Sequence, residues 1–512
     1  QIVHGLGNIK LRDAYSLIKN ISKKKHDKIE KERPKFVEGA QKQGLSKAQA
    51  EELFELILKF AGYGFNKCVV GYTVITDART GERTTVGDLF KRRRPFTIHA
   101  IDESGKLRPR AVTDVMWNGR KRVFELRTRQ GKAISATGNH PFLTLDGWKN
   151  LEDLKVGDRI AAPRRLTTPT RAKWPHHEIV TLAGLLSEGN TCHPTCLYFF
   201  GNDRRLVDDF AEAAGKFPET VARTYARADG RRLEACGSTG RDTRSAKGER
   251  PWNAGGTDGQ TAVLERTAIR SGAYRWAEQM GLIGVKAASK RVPEGVFRLR
   301  DADIGLFLGR LWAGDGYIAG RSTSTPFYAT SSIGLAEDVQ LLLLRLGILS
   351  GIHTKQFRYR GGHRTGYTVH LLGEGSIETF LREVAPHCVG RQEQVDLLRA
   401  HVERVSADCT SKDTVPAEIR EWVQKERVRS GMKWRDLEAA SGVCVRELCR
   451  VKPGAKRGFR RSTIARLAKF FSSTRLAEVA ESDIFWDEVV SIEAEGVQDT
   501  YDLTGEQDHN FV

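Results

Sequence analysis

The chain has 512 residues, with 83 Lys+Arg against 64 Asp+Glu and a formal net charge of +19. Its mean hydropathy is -0.44, and no stretch approaches the ~20 apolar residues of a spanning helix, which argues against membrane insertion. The basic excess favours a polyanionic partner, most simply nucleic acid, although it could serve solubility alone.

The start of the chain and its cysteines indicate its context. The chain begins with Gln1 rather than Met, so we expect a fragment. The first residues are rich in Lys and lack the apolar core of a signal peptide. Eight scattered cysteines form no disulfide framework, so we expect a cytoplasmic location. The length suggests about three domains.

Residues 1–67 have a helical texture. Ser46 begins a capping box with Gln49, three residues further on. Apolar residues then recur at helical spacing: Leu53, Leu56, Ile57 and Phe60. This pattern predicts a helix that starts after Ser46.

From Cys68 the sequence changes to short β-rich runs separated by Asp, Gly and Asn. The runs are residues 74–75, 96–98, 112–116, 123–126 and 133–136. They predict a β unit of short strands, which we assign to residues 68–165. The same texture returns in residues 476–512, with runs at 489–492 and 499–503.

Between these β-rich parts, helical and strand-like segments alternate over residues 166–410, which predicts an α+β unit. Its arginine-rich stretch at 223–250 suits phosphate contacts, and a disordered loop is the alternative. Residues 411–475 are mainly helical. Two patterns there, at 434–442 and 461–468, favour a helix-turn-helix-like DNA-binding segment, with a plain helical linker as the alternative.

Three motifs carry chemistry at the ends of the β texture. Cys68-Val-Val-Gly-Tyr-Thr73 opens it, Thr137-Gly-Asn-His140 follows a predicted strand, and Thr500-Tyr-Asp-Leu-Thr504 precedes His509-Asn-Phe. In this order and context they resemble the splicing blocks of the intein (Hint) family. The resemblance implies a mainly β Hint fold in which residues 68–165 and 476–512 pack as one domain.

The residue types fit self-splicing. Breaking a peptide bond without external energy needs an internal nucleophile, and the Cys68 thiolate lies beside the carbonyl of Lys67. Its attack converts the amide into a thioester, and an imidazole suits protonation of the departing nitrogen. The resemblance implies four further roles: amide protonation by His140, binding of the scissile amide by Thr137, tuning of the thiol by Asp502 and assistance to asparagine cyclisation by His509.

One feature departs from the family. Inteins close with His-Asn, followed by Cys, Ser or Thr of the downstream host. This chain stops at Val512, and Asn510 stands too early to replace that asparagine. We therefore expect the final block to be missing, so that the chain as written forms the thioester and then stalls.

Residues 1–67 resemble the bacterial replicative DNA polymerase III alpha subunit. The matching segments are Ile21-Ser-Lys-Lys-Lys25, Phe36-Val-Glu-Gly39 and Phe60-Ala-Gly-Tyr-Gly-Phe-Asn-Lys67. That family has Ser after Phe-Asn-Lys, so Cys68 marks an insertion point. The resemblance implies a host (extein) fragment that lacks the polymerase's catalytic aspartates.

The middle part contains a repeated motif. Leu182-Ala-Gly-Leu-Leu-Ser-Glu188-Gly-Asn190 closely matches the LAGLIDADG pattern, and Leu308-Gly-Arg-Leu-Trp-Ala-Gly-Asp315-Gly316 is a looser copy. Small residues predict two closely packed helices: Ala183, Gly184 and Gly309. Each helix end then presents one acid, and paired carboxylates can bind divalent cations that activate water for phosphodiester hydrolysis.

These motifs resemble the LAGLIDADG homing endonucleases. The resemblance implies that Glu188 and Asp315 bind Mg2+ and that a monomer cleaves double-stranded DNA, here the polymerase gene without the insert. Lys290 resembles a family lysine near the scissile phosphate, and a solvated or DNA-backbone lysine is the alternative. Arg310 stands where the family has a small residue, which leaves the packing there open.

Two rival functions stay open. One is a DNA-binding protein built on an inactive endonuclease scaffold, which metal-dependent cleavage would distinguish. The other is an autoprocessing Hint domain that cleaves without ligation. A zinc site at Cys192-His193-x-x-Cys196 is not expected, because it lacks a second ligand pair at suitable spacing.

Overall fold

A computed structural model describes most of the chain. The described residues are 30–63, 68–170, 172–226, 233–239, 270–320, 325–359, 361–404, 412–449, 458–506 and 510–511. The predicted site residue His509, the scissile residue Lys67 and most of the stretch 223–250 lie outside them. Within these ranges, no helix is long and apolar enough to cross a membrane.

Two helices precede the β texture: α1 (Arg33–Lys42) and α2 (Lys47–Tyr63). The predicted capping box at Ser46 is confirmed. The backbone N–H of Ser46 donates to Gln49 Oε1 at 3.0 Å, and the Gln49 N–H donates to Ser46 Oγ at 3.3 Å. Phe36 and Phe54 pack the two helices together, with ring centroids 5.4 Å apart.

The first β-rich part contains short strands and one long one. Its elements are β1 (Val69–Val70), β2 (Val74–Thr76), β3 (Arg83–Thr85), α3 (Val86–Arg92), β4 (Thr97–Ile101), β5 (Leu107–Thr128), β6 (Ala133–Thr137), β7 (Pro141–Thr144), β8 (Gly147–Asn150) and β9 (Arg159–Pro163).

The middle part has one order of elements twice: helix, two strands, helix, two strands, helix. The first copy consists of α4 (His176–Leu186), β10 (Gly189–Asn190), β11 (Leu197–Gly201), α5 (Arg204–Gly215), β12 (Val221–Ala226), β13 (Leu233–Ser238) and α6 (Gly272–Gln279). The second consists of α7 (Asp301–Asp315), β14 (Gly316–Tyr317), β15 (Phe327–Thr330), α8 (Ile333–Arg345), β16 (Ser350–Tyr359), β17 (Gly362–Leu371) and α9 (Glu374–Glu383), and α10 (Gln392–Arg404) follows.

The last part is helical and ends in a long strand. Its elements are β18 (Thr414–Pro416), α11 (Ile419–Arg429), α12 (Trp434–Ser441), α13 (Arg446–Cys449), β19 (Gly458–Arg460), α14 (Arg461–Phe471), α15 (Thr474–Glu481) and β20 (Ile484–Gly505). The helices share a core with residues of the β-rich part, among them Ile101, Leu145 and Trp486.

The β-rich parts at the two ends of the chain share one sheet of order β4-β5-β6-β1-β20-β9, in which β5 and β20 also pair. The prediction of two short strands each at 112–126 and 489–503 is wrong, because β5 and β20 run unbroken for 22 residues each. Gly119 and Gly496, at φ +76° and +89°, bend the strands without ending them. Register shifts in β20, one of them beside Gly496, absorb the bends.

The middle part forms two four-stranded sheets, of order β10-β11-β13-β12 and β14-β15-β17-β16. Helices α4 and α7 contact each other between them, and one apolar core spans both copies. Because α4 is buried along one continuous stretch from Ile179 to Leu186, its neighbours cover it on all sides. The two copies therefore fold as one body around the helix pair.

Two of the small residues predicted to let these helices pack on each other contact different neighbours. A Cβ at Gly184 would lie 2.5 Å from the ring of Phe210 on α5, and one at Gly309 would lie 2.4 Å from Cβ of His387. The prediction for Gly184 and Gly309 is therefore wrong. Each glycine faces away from the partner helix and instead leaves room for the neighbour on its other side, Phe210 or His387.

The close approach of α4 and α7 lies at their C-terminal ends instead. A Cβ at Gly314 would lie 2.7 Å from the side chain of Ser187. Arg310, whose packing the sequence left open, is largely buried and pairs with Asp209 on α5, Nε to Oδ2 at 2.7 Å. The helix pair therefore needs a small residue at Gly314, in the last turn of α7.

A buried carboxylate joins the β-rich part to the middle part. Asp338 on α8 is 0% exposed and accepts hydrogen bonds from Arg83 Nη1 at 2.6 Å and Arg291 Nη2 at 2.8 Å. The backbone N–H of Val292 donates to the same carboxylate at 2.9 Å. The Arg83 guanidinium also lies 3.5 Å from the Phe297 ring centroid, so it is held on both sides.

We expect Asp338→Ala to destabilise the protein by about 3–5 kcal/mol, because it removes a fully buried carboxylate and leaves the buried Arg83 side chain without its buried partner. Glu337→Ala is the matched control, since that carboxylate is half exposed and lies 4.0 Å from Arg291; it should change stability by less than about 1 kcal/mol. Guanidinium unfolding followed by tryptophan fluorescence measures both. Equal, small effects would contradict a structural role for Asp338.

Candidate functional site

The sheet register assembles the first site. Val69 on β1 lies opposite Ala136 on β6 and opposite Tyr501 on β20. Continuing both antiparallel ladders by one residue places Cys68 between Thr137 and Asp502. Three predicted residues from three distant segments are therefore brought together by strand pairing alone.

Thr137 binds the backbone of Cys68. Its N–H donates to the Cys68 carbonyl oxygen at 3.0 Å, and its hydroxyl donates to the same oxygen at 3.4 Å. The Cys68 side chain is fully buried. These hydrogen bonds hold the carbonyl group of Cys68 itself. The predicted contact of Thr137 with the scissile amide involves Lys67, which lies outside the described residues, so it stays a prediction.

Two residues that the sequence did not indicate reach the thiol. Asn118 Nδ2 and Lys121 Nζ each lie 3.4 Å from Cys68 Sγ. Both stand on β5, beside the bend at Gly119. Asn-Gly in the sequence signals a bend, but nothing in it shows that side chains from this bend face Cys68.

Burial raises the pKa of the Cys68 thiol, because desolvation disfavours the thiolate. The ammonium of Lys121 opposes this and lowers the pKa, the charge of Asp502 raises it, and the Asn118 amide lowers it. The thiol therefore stands between one cation and one anion, so small changes in this pair shift its ionisation.

His140 occupies a tight turn directly after β6. Its N–H donates to the Thr137 carbonyl at 2.9 Å, and the Leu151 N–H donates to the His140 carbonyl at 2.8 Å. The residue is 7% exposed, and its ring lies 5.2 Å from the Phe142 ring and 6.2 Å from that of Phe511, centroid to centroid. The Thr-x-x-His spacing thus closes a turn beside the residue that binds Cys68.

Asn510 is among the last residues described. Its Oδ1 accepts from the Ile101 N–H at 2.8 Å, and its Nδ2 donates to the Ile101 carbonyl at 3.0 Å. The Asn510 side-chain amide thus pairs with the backbone at the end of β4. This is a structural role, separate from asparagine cyclisation.

The second site lies where α4 and α7 meet. Asp315 is the last residue of α7, Glu188 follows α4 by two residues, and their carboxyl groups share a hydrogen bond. Burial, and then the neighbouring Glu188, raise the pKa of Asp315 to about 7, whereas Lys290 lowers it. Two groups that share one proton form a site at which additional positive charge is favourable.

This oxygen donor pair fits Mg2+ in its chemistry. Magnesium is commonly bound through one or two carboxylates, with water and substrate phosphate as its other ligands. Among the described residues, no group of three or more His, Cys, Asp and Glu could hold a metal ion. Glu188 and Asp315 are the candidate side-chain ligands that the described residues bring together at this position.

Lys290 is buried at 8% exposure, so the alternative of a solvated lysine is wrong. Its ammonium donates to the carbonyls of Leu185, Leu186 and Ser187 at 2.9, 3.0 and 3.1 Å, and to that of Gly189 at 3.3 Å. Burial lowers the pKa of Lys290, while Asp315 and Glu188 raise it. The lysine thus caps the helix end that presents Glu188.

Comparison with known proteins identifies the family. The model of the intein splicing domain matches residues 75–512. The replicative DNA helicase DnaB of Synechocystis sp. is 30% identical over 454 residues, which are 87% of this chain and 48% of the helicase. The chain spans about half the length of the curated relatives that it matches first.

Two solved structures are similar to parts of this chain. The crystal structure of the Ssp DnaB mini-intein variant M86 is 43% identical and covers 19% of this chain and 62% of its own, with a TM-score of 0.19. That of I-DmoI in complex with DNA and Ca is 10% identical and covers 41% and 88%, with a TM-score of 0.25. Neither score establishes a shared overall fold. The family match spans most of the sequence, and the protein is therefore a member of the intein splicing domain family.

Proposed function

We propose that this intein breaks the Lys67–Cys68 peptide bond by an N-to-S acyl shift, as the first step of protein splicing. The observation that carries the proposal is the register that sets Cys68 between Thr137 and Asp502. A nucleophile adjacent to the bond it attacks needs no bound substrate, so orientation supplies much of the rate.

In this step Cys68 Sγ attacks the Lys67 carbonyl carbon. The S–C bond forms, the C–N bond breaks, and the product is a thioester with a free amine on Cys68. Asp502 takes the thiol proton and His140 protonates the departing nitrogen, so the proton count balances. Lys121 and Asn118 stabilise the thiolate by hydrogen bonds, and Thr137 holds the Cys68 carbonyl in place.

A second activity is proposed for the middle part: cleavage of double-stranded DNA as a homing endonuclease. Glu188 and Asp315 would hold Mg2+, which when bound supplies charge neutralisation for a phosphodiester and activates water. Lys290 positions the end of α4, and hence Glu188, because its ammonium contacts four backbone carbonyls at the end of that helix. Because both acids come from one chain, a monomer suffices and the target site is asymmetric.

For the host, we keep the polymerase III alpha subunit as a proposal that rests on the three segments before Cys68. In that reading the DNA target is the polymerase gene without the insert, and the protein acts in the cytoplasm. The coding sequence on both sides of this chain tests the host directly. Helicase or recombinase motifs there would contradict it.

Ligation separates splicing from the autoprocessing alternative. A Hint domain that only cleaves releases its N-terminal part, whereas splicing joins both host segments. The helical segment at residues 411–475 is proposed to add DNA contacts. A DNA-binding protein that does not cleave DNA would also make those contacts, but it would not need the carboxylates of Glu188 and Asp315.

Removal of Lys121 should slow the acyl shift. Thiol-induced release of a fragment ending at Lys67 should fall about 10–100-fold at pH 7 in Lys121→Met, because a charge-assisted hydrogen bond to the thiolate is lost. The same loss raises the pKa of Cys68, so the rate profile should shift to higher pH and the deficit should shrink there. Cys68→Ala should abolish release.

Two controls sharpen this experiment. Lys121→Arg keeps the charge and should retain most of the rate, and Arg122→Met removes a neighbouring exposed charge and should leave the rate unchanged. Mass spectrometry identifies the released fragment. An unshifted pH profile in Lys121→Met would refute its role, and release from Cys68→Ala would refute the nucleophile.

Either Glu188→Gln or Asp315→Asn should abolish magnesium-dependent double-strand cutting of the insert-free gene. DNA binding should change little, since lysines and arginines contact the backbone. Glu212→Gln, an acid exposed on α5, is the matched control and should cut normally. Gel assays of cutting and binding decide the matter, and wild-type cutting by the double variant would rule out the assignment.

A further inference from the structure

Two thiols lie side by side on the outer face of the first endonuclease-like sheet. Cys236 on β13 lies directly opposite Tyr198 on β11. Cys196 immediately precedes β11, and continuing the ladder places it opposite Ser238, diagonal to Cys236 and on the same face. The two thiols share a hydrogen bond, and the Tyr198 hydroxyl contacts both. Each is half-buried and within reach of small solutes.

The loop before β11 is held in place around Cys196. His193 Nδ1 accepts the backbone N–H of Cys196 at 3.1 Å and that of Thr195 at 3.3 Å. The Thr195 hydroxyl lies 3.6 Å from Cys196 Sγ. The Tyr198 ring meets the His193 ring edge-on, with centroids 5.4 Å apart. Such a loop presents one sulfur to its neighbour in a defined geometry.

The two thiols differ in acidity. The hydrogen bond from Cys236 is the main cause that lowers the pKa of Cys196 to about 6, with smaller contributions from Thr195 and His193. The same bond, together with burial, raises the pKa of Cys236. At neutral pH one member of the pair is a thiolate, and the other is a thiol that donates to it. This is the arrangement of an attacking and a resolving cysteine.

We propose that Cys196 and Cys236 are an oxidation site, at which a peroxide converts the two thiols into a reversible disulfide. The Cys196 thiolate attacks a peroxide oxygen; the S–O bond forms, the O–O bond breaks, and hydroxide leaves. Cys236 sulfur then attacks the resulting sulfenic acid; the S–S bond forms, the S–O bond breaks, and the thiol proton leaves with hydroxide as water. Two electrons pass from the sulfurs to the peroxide.

Such a bond would alter the sheet beside the acid pair. Diagonal Cα atoms on neighbouring strands lie about 7–8 Å apart, whereas disulfides usually span about 4.4–6.8 Å, so closure draws β11 towards β13. Strand β11 is tied to the acid segment, because the Phe200 N–H donates to the Glu188 carbonyl at 3.3 Å and Asn190 pairs with Tyr198. Oxidation should therefore weaken DNA cutting, a consequence that rests on the proposed endonuclease.

The test is oxidation of the full chain with hydrogen peroxide at pH 6, followed by peptide mapping. About half of Cys196 is ionised there, so it should react about tenfold faster than the exposed Cys192 and Cys444, after allowance for the lower nucleophilicity of an acidic thiol. Peptides containing Cys196 and Cys236 should become linked, and dithiothreitol should separate them. In Cys236→Ser, a dimedone adduct on Cys196 should accumulate instead.

Cys192→Ser is the matched control, since it removes an exposed thiol from the same loop and should still form the bond. Linkage of Cys196 to another cysteine, or reaction of Cys196 no faster than Cys444, would overturn the proposal. The DNA assay is read separately. If the reduced protein does not cut DNA, the endonuclease proposal fails while the mapped disulfide stands; if it cuts equally well after full oxidation, control by the disulfide fails.

Discussion

Strand β1 is only two residues long, and the chemistry proposed for Cys68 depends on how this strand is paired on both sides. Side chains alternate along a strand, so a slip of one residue against either β6 or β20 would turn Thr137 or Asp502 to the opposite face from Cys68. Two residues cannot specify register by their own pairing. The long β5–β20 ribbon supplies it, because pairing along its 22-residue strands fixes the position of β20 independently of β1.

The middle part is attached to this frame by buried charge. The fully buried Asp338 pairs with Arg83 from the β-rich part and with Arg291 from the middle part, so loss of this carboxylate removes an ion pair to each of them. Within the middle part, Lys290 satisfies the carbonyls at the end of α4. One ammonium therefore both caps a helix and moderates the repulsion between Glu188 and Asp315.

Much of this organisation could be predicted from the sequence. The order of the motifs predicted that Cys68, Thr137 and Asp502 would lie together, and Ser46 and Gln49 predicted the start of a helix. What could not be predicted depends on tertiary packing. Glycines inside β5 and β20 read as strand ends because local patterns cannot distinguish a bend from a turn. Lys121 and Asn118 carry no motif, and only the bend at Gly119 aims them at the thiol. Close packing does occur at Gly184 and Gly309, but against Phe210 and His387 rather than the partner helix, and a sequence does not show which neighbour approaches.

The order in which the sheet's strands leave the ribosome has a kinetic consequence. Cys68 and Asp502 are separated by about 430 residues, and at about 5–20 residues per second the ribosome needs about 20–90 s to cover that distance. Throughout this interval β1 has no β20 beside it, so the thiol exists without its anionic neighbour. The distance along the chain would therefore act as a timer, which delays the proposed acyl shift until residue 502 has been synthesised.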